Sequence, residues 1–307
     1  MTTKDCILAA VRPIKAILSG IHKDLLTRGG KPKLPITSLP GLNRILWGLK
    51  DGSITIIGAR TSQGKSSLAL QMAYDLANQN IPVLFLSLEM TAEDLIERLF
   101  CQVCQVDNFD LRCGKLAVDP EIQTRWAAFK NIAEKLPLLI TCGIGRTFVE
   151  INELIAMASP KPKAVFIDYI QNISSRPGET RETINEYIRQ FNKLAMQMNF
   201  AGVLCSQINR GTEQHVNKEP SLGQLKESGF LEEAAHCVIL LHWENFYDHT
   251  KPETTYKIII AKNRNGRTGD HIVEYTPKHY LFSEIHETEG EEKAKEVFGA
   301  ERSAYVN

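Results

Sequence analysis

Between residues 53 and 79 the chain runs SITIIGA, a β-branched stretch of strand type, through GARTSQGKSS (58–67) into SSLALQMAYDLANQ, where Leu68, Met72 and Leu76 recur at helical spacing. The glycine-bearing loop therefore opens a helix. Backbone N–H groups left unpaired at a helix N-terminus, beside glycines that let the chain curl, form a nest for phosphate oxygens. Ala59, Arg60, Thr61, Ser62, Gln63 and Gly64 would wrap the phosphates, with Ser67 closing the loop. Lys65 is placed to reach the β- and γ-phosphates, and the Ser66 hydroxyl to hold a magnesium ion. The strict pattern has glycine where this chain has Ala59, and a small residue suffices there. ATP and Mg²⁺ are thus the expected ligands.

At 307 residues and 43% hydrophobic content the chain can bury a large core, as one generous domain or two small ones. Formal net charge is zero, so bulk charge points to neither a nucleic acid nor a membrane. Locally, nine basic residues face two acidic ones between Met1 and Lys50, and the tail after Phe282 is acidic. Seven scattered cysteines suit a reducing compartment. Cys101, Cys104 and Cys113 have no second pair at metal spacing, and DLIERLFCQVCQV reads as a helix with positions 101 and 104 on its buried face, so no zinc site is expected. The histidines are dispersed. No run of eighteen apolar residues exists and no signal peptide fits, so the expected compartment is the cytoplasm, with no membrane partner.

Three segments follow from the pattern. In residues 1–33, Ile7, Val11, Ile14, Leu18, Ile21 and Leu25 make one apolar stripe on an amphipathic helix, with Pro13 marking its start or a kink, and RGGKPKLP forms a linker. The stripe can be buried against its own domain or against a neighbouring subunit. Residues 34–285 alternate strands (ITIIGA, VLFLSLE, LPLLIT, AVFIDYI, GVLCSQI) with helical segments. Apolar runs of this kind suit strands covered on both faces, which gives an α/β fold with a mostly parallel central sheet flanked by helices. From HCVILLHW onward only strands follow, and these read as antiparallel additions to one edge. Residues 286–307 form a charged C-terminal tail.

Hydrolysis needs a polarised water and charge compensation as well as a phosphate loop, and in an open parallel sheet such groups stand at the carboxyl ends of strands. Three strands supply them. VLFLSLEM ends with Glu89, placed to orient or deprotonate water; KAVFIDYIQ carries Asp168, the pattern of an aspartate holding magnesium through water; GVLCSQINR ends in Gln207, an amide able to sense the γ-phosphate. Further on, Asn265-Gly266 after a β-branched run signals a tight hairpin, from whose tip Lys262 and Arg264 project on one side, since residues two apart on a strand point the same way. The stretch NRGTEQHVNKEPSLGQLKESG is long, polar and glycine-bearing, as expected of a loop lining a channel.

Taken in order, GARTSQGKSS, FLSLEM, FIDYIQ, SQINR, LKESGFLEEAAHCVILLHW and IIIAKNRNGRTGD resemble the successive motifs of the DnaB-like replicative helicases, a hexameric branch of the RecA-like ATPases, over about Leu34 to Ile285. The resemblance implies a RecA-like domain and an ATP hydrolase that unwinds DNA with 5′ to 3′ polarity as a homohexamer. It makes Glu89 the catalytic carboxylate, Lys65 and Ser66 the phosphate and magnesium groups, Asp168 the second magnesium anchor and Gln207 the coupling sensor. It also directs Lys262 and Arg264 into the ATP site of the adjacent subunit. The resemblance further implies backbone contacts to single-stranded DNA at Lys226, Glu227 and Gly229, with Arg210 the next candidate. Lysine at 226, where the family usually has arginine, keeps the charge but loses the bidentate fork. Few aromatics lie there, which favours phosphate tracking over base stacking. Arg267 stands where proline is frequent. A helicase loader is a candidate partner, whereas the helical collar that meets the primase is not seen ahead of the motor, which puts primase binding in doubt. The rival readings are a RecA-like recombination or regulatory ATPase that forms filaments, and a helicase-derived DNA-binding ring without hydrolysis.

Overall fold

The computed structural model describes residues 31–173, 181–208, 219–225 and 228–285, together with Ile14, Leu18, His22 and Leu26. Residues 1–33 and 34–307 separate into two units. In the first, Ile14, Leu18, His22 and Leu26 are helical, and their spacing of four puts them on one face. Ile14 and Leu18, from the predicted stripe, are 73% and 58% exposed. Ile7, Val11, Ile21, Leu25, Pro13 and the tail from 286 lie outside the described residues.

The second unit begins with α1 (Pro40–Leu46), β1 (Ile54–Ala59), α2 (Lys65–Asn78), β2 (Val83–Ser87), α3 (Ala92–Cys104) and α4 (Asn108–Arg112). It continues with α5 (Pro120–Ala133), β3 (Leu138–Cys142), α6 (Phe148–Met157), β4 (Ala164–Asp168), α7 (Arg181–Met198) and β5 (Ala201–Gln207). α8 (Ser228–Ala234) then precedes β6 (Cys237–His242), β7 (Thr255–Asn263), β8 (Gly269–Thr276) and β9 (Leu281–Glu284). Helix starts follow local chemistry. The Thr91 and Thr147 side chains accept from the backbone of Asp94 and Glu150, whose carboxylates return the bond, and Asp119 caps α5 ahead of Pro120 at its first turn.

The nine strands form one sheet in the order β3-β2-β4-β5-β1-β6-β7-β8-β9. β1, β2, β4 and β6 are buried at every residue, as strands covered on both faces must be. One core, around Phe85, Phe166 and Tyr256, lies on one face; the other, around Ile56, Ile167, Phe191 and Leu240, lies on the opposite face. HCVILLHW departs from the expectation of an antiparallel addition: β6 pairs parallel with β1, Thr55 opposite Cys237. The connection from β5 to β6, residues 208–236, is long enough for a crossover and ends in the seven-residue α8, so β6 enters in the same direction as β1. The antiparallel additions begin at β7.

This direction of β6 orients everything that follows. Registers Ala59 with Gln207 and Ser87 with Asp168 bring the carboxyl ends of β1, β5, β2 and β4 to one end of the sheet. β7 runs against β6 with Lys262 opposite Val238, so its last residues arrive at the other end. The antiparallel strands also secure α2. Gln71 exchanges two bonds with the Phe282 backbone at 2.7 and 3.0 Å, Gln102 Nε2 donates to the Ser67 and Tyr280 carbonyls, and the Tyr256 hydroxyl donates to the Gln63 carbonyl.

Candidate nucleotide site

The loop between β1 and α2 curls as the glycine spacing requires. Ser62 and Gly64 take φ of 65° and 74°, and a Cβ on Gly64 would stand 2.9 Å from Phe282 Cζ, so a side chain there is excluded on both counts. Lys65 is the first residue of α2. Its Nζ lies 3.6 Å from Asp168 Oδ1 and 4.2 Å from the centre of the Tyr169 ring. The Asp168 side chain is 0% exposed, and neither carboxylate oxygen has a hydrogen-bond partner among the described residues. Beside it, burial first and then the Asp168 charge push the Cys205 thiol far up, so it packs as a neutral group.

The other strand-end residues gather at the same place. Leu88 N donates to the Asp168 carbonyl at 2.6 Å and Met90 N to Ser87 Oγ at 2.8 Å, which pins the turn that leaves Glu89 exposed. Gln207 Nε2 donates to Thr61 Oγ1 at 2.6 Å, and its backbone N–H donates to Gln171 Oε1 at 3.2 Å. Arg60 donates to the Ile208 carbonyl at 3.0 Å, and Ile208 bridges to Leu225. The phosphate loop is thereby joined to both ends of the segment read as a channel loop.

The loop and the strand ends border a cavity of about 350 Å³, with the buried Asp168 lying behind its wall next to Tyr169. Lys65, Ser66, Glu89 and Gln207 are in its wall, and so are four residues that sequence reasoning did not assign, Arg98, Tyr169, Tyr275 and Tyr280. The Arg98 guanidinium sits 4.6 Å from the centre of the Tyr280 ring. Tyr169 adjoins Asp168 in FIDYIQ and was within reach of a local reading; Tyr275 and Tyr280 arrive through β8 and β9, which no local pattern places against α2.

Lys262 and Arg264 stay away from this cavity, at the opposite end of the sheet. They do project together, as expected from their spacing: Lys262 Nζ donates to the Glu232 carbonyl and Arg264 to the Glu233 carbonyl at 2.5 Å, both in the last turn of α8. Burial, and then the Arg264 charge, lower the Lys262 ammonium below its usual range. The connection is not the tight hairpin read from Asn265-Gly266. β7 ends at Asn263 and β8 begins at Gly269, a five-residue loop folded about the Asn263 side chain. Arg210, Lys226 and Glu227 lie outside the described residues, and Gly229 falls within α8. No metal-holding cluster of histidine, cysteine or acidic residues occurs among the described residues, in line with a buried Cys101 and half-buried Cys104 on α3.

Residues 36–284 match the family described as the DnaB-like helicase C terminal domain. The chain belongs to this family. It is 34% identical over 261 residues to the replicative DNA helicase DnaB of Leifsonia xyli subsp. xyli, covering 83% of this chain and 56% of that protein. It is 30% identical over 240 residues to a probable plasmid replicative DNA helicase of Chlamydia trachomatis serovar L2, covering 77% and 52%. The chain spans about half the length of these curated relatives. Among solved structures, the ATPase domain of G40P superposes with a TM-score of 0.84 at 23% identity, covering 90% of this chain and all of that one, 100%. A DnaB-like replicative helicase studied with its interactions with primase gives 0.80 at 23% identity, covering 90% and 68%. The DnaB-like, RecA-like fold is therefore shared, and the recombination-ATPase and inert-ring readings are not favoured. No helix among the described residues is long and apolar enough to cross a membrane.

Proposed function

We propose that this DnaB-like domain is the ATP-hydrolysing motor of a replicative helicase, a homohexamer that translocates 5′ to 3′ on single-stranded DNA. The observation that carries the reading is the gathering of Lys65, Ser66, Glu89 and Gln207 around a cavity at one end of one sheet, with Asp168 buried behind Lys65, in a chain of this family. The loop amides and Lys65 bind and orient the phosphates. Tyr280, half-buried under the Arg98 guanidinium, is the aromatic of the wall beside which a base can lie, whereas Tyr275 is buried against Phe282 and backs the loop. Glu89, exposed to the cavity, takes the proton of the attacking water on its carboxylate. Gln207 Nε2, held to Thr61 at the phosphate loop, is the proposed sensor of the γ-phosphate and adjoins Ile208, whose bridge to Leu225 leads into the loop read as the DNA contact.

The buried carboxylate of Asp168 faces Lys65 at 3.6 Å but accepts no hydrogen bond within normal geometry from a described residue, so it keeps oxygen lone pairs that fit a magnesium ion, with the Ser66 hydroxyl as the second holder. Held there, Mg²⁺ would supply charge neutralisation for the bound phosphates.

Hydrolysis measured with and without single-stranded DNA tests the motor reading: DNA should stimulate turnover, and a protein that neither binds DNA nor responds to it contradicts the proposal. Lys226→Ala should weaken binding of all sequences alike. The slope of log affinity against log salt should become shallower by about 0.7, the value for one lost phosphate contact. An unchanged slope and affinity moves the contact elsewhere, Arg210 being the next residue to substitute.

A further inference from the structure

Between the two cations that leave β7, Asn263 faces the other way. Alternation along the strand puts Lys262 and Arg264 on the side of the α8 terminus and Asn263 on the side of α1. The Asn263 amide makes three bonds there. Its Oδ1 accepts from Asn265 N at 3.1 Å, and its Nδ2 donates to the Arg267 carbonyl and to the Ile45 carbonyl, each at 3.3 Å. One side chain thus closes the five-residue loop on itself and fastens it to the end of α1.

Neighbouring contacts reinforce the arrangement. Arg264 N donates to the His236 carbonyl at 2.9 Å, and Lys50 Nζ donates to Asn265 Oδ1 at 2.9 Å. The loop is packed so closely on α1 that a Cβ on Gly266 would lie 2.6 Å from Asn263 Nδ2 and 3.1 Å from the Ile45 carbonyl oxygen. The position asks for an acceptor and two donors at once, which a carboxamide supplies; a carboxylate of the same shape has no donor and would face two carbonyl oxygens.

We propose that Asn263 is a positioning residue for Arg264, setting the loop geometry from which the arginine reaches the nucleotide of the next subunit. The inference rests on the reading of Arg264 as acting in trans. An arginine of this kind contributes only where it meets the developing charge, and a displacement of about 1 Å costs on the order of a hundredfold. Asn263→Ala and the isosteric Asn263→Asp should each lower kcat for ATP hydrolysis by about 10- to 100-fold. The KM for ATP should stay unchanged, because the cavity is at the other end of the sheet.

Arg264→Ala and the double variant Arg264→Ala/Asn263→Ala are assayed beside them. If Asn263 acts through the arginine, the double variant is no slower than Arg264→Ala alone, whereas an independent structural defect multiplies the loss. A slow Arg264→Ala with Asn263→Ala at wild-type rate, or a double variant slower than Arg264→Ala, overturns the positioning role and leaves the arginine reading standing. Wild-type hydrolysis by Arg264→Ala overturns both. Should Asn263→Ala lower the thermal midpoint, Asn263→Asp and its double variant with Arg264→Ala carry the same comparison.

Discussion

Arg264→Ala is expected to bind ATP as the parent does and to hydrolyse it about a thousandfold to a hundred-thousandfold more slowly, the range for an arginine supplied from another subunit. The expectation follows from where the residue sits. Its guanidinium bonds to the Glu233 carbonyl at the far end of the sheet from Lys65, so it touches no group of its own nucleotide site. On the proposed reading, substitution removes transition-state stabilisation at the neighbouring site and not nucleotide affinity. Single-turnover hydrolysis beside equilibrium binding of a labelled nucleotide separates the two. Equal loss of binding and turnover would return Arg264 to a structural role, as a cation complementing the negative end of α8.

The second large effect is expected at Lys65. Removing one preorganised charge from a phosphate site costs about a hundredfold to a thousandfold in rate, so Lys65→Ala should be nearly inert, and it should also bind ATP more weakly. A stability effect comes with it. Lys65, 12% exposed, is the cation facing a carboxylate that is 0% exposed, and breaking such a pair from one side is destabilising by about 3 to 5 kcal/mol when fully buried, less here at the cavity wall. Adding Asp168→Asn should recover the thermal midpoint while leaving hydrolysis absent. A midpoint that Lys65→Ala does not change, or that the double variant does not restore, speaks against the ion pair; near-normal turnover speaks against the phosphate site itself.

The parts of the site that were legible in the sequence are those whose chemistry is local. Strand, loop and helix around Gly64 follow one another without interruption, so the nest could be read residue by residue. Glu89, Asp168 and Gln207 were recognisable because the end of a hydrophobic run marks the end of a strand, and parallel pairing then brings those ends together. Pairing itself was harder. The direction of β6 depends on α8, a helix too short to stand out by periodicity, and the run HCVILLHW has the same composition whether its neighbour runs with it or against it. Tyr275, Tyr280 and Arg98 reach the cavity only because β8, β9 and α3 pack around α2, a long-range arrangement with no signature in any window of sequence. Asn265-Gly266 misled for a related reason. The dipeptide favours a two-residue turn, but the three bonds available to the Asn263 side chain stabilise a longer loop that the dipeptide alone does not specify.

The antiparallel run of β7 against β6 has a consequence for how activity depends on protein concentration. β6 is six residues long, and at about 3.3 Å per residue its first and last residues stand roughly 17 Å apart. Arg264 and Lys65 lie toward opposite ends of that span, too far for a side chain to bridge, and the same sheet holds both in place. If Arg264 acts on the next subunit as proposed, a lone chain would be a latent enzyme that binds its nucleotide and waits. Turnover per chain then obeys mass action: it falls on dilution below the assembly threshold and recovers on concentration, whereas an ATPase complete within one chain keeps a constant specific activity.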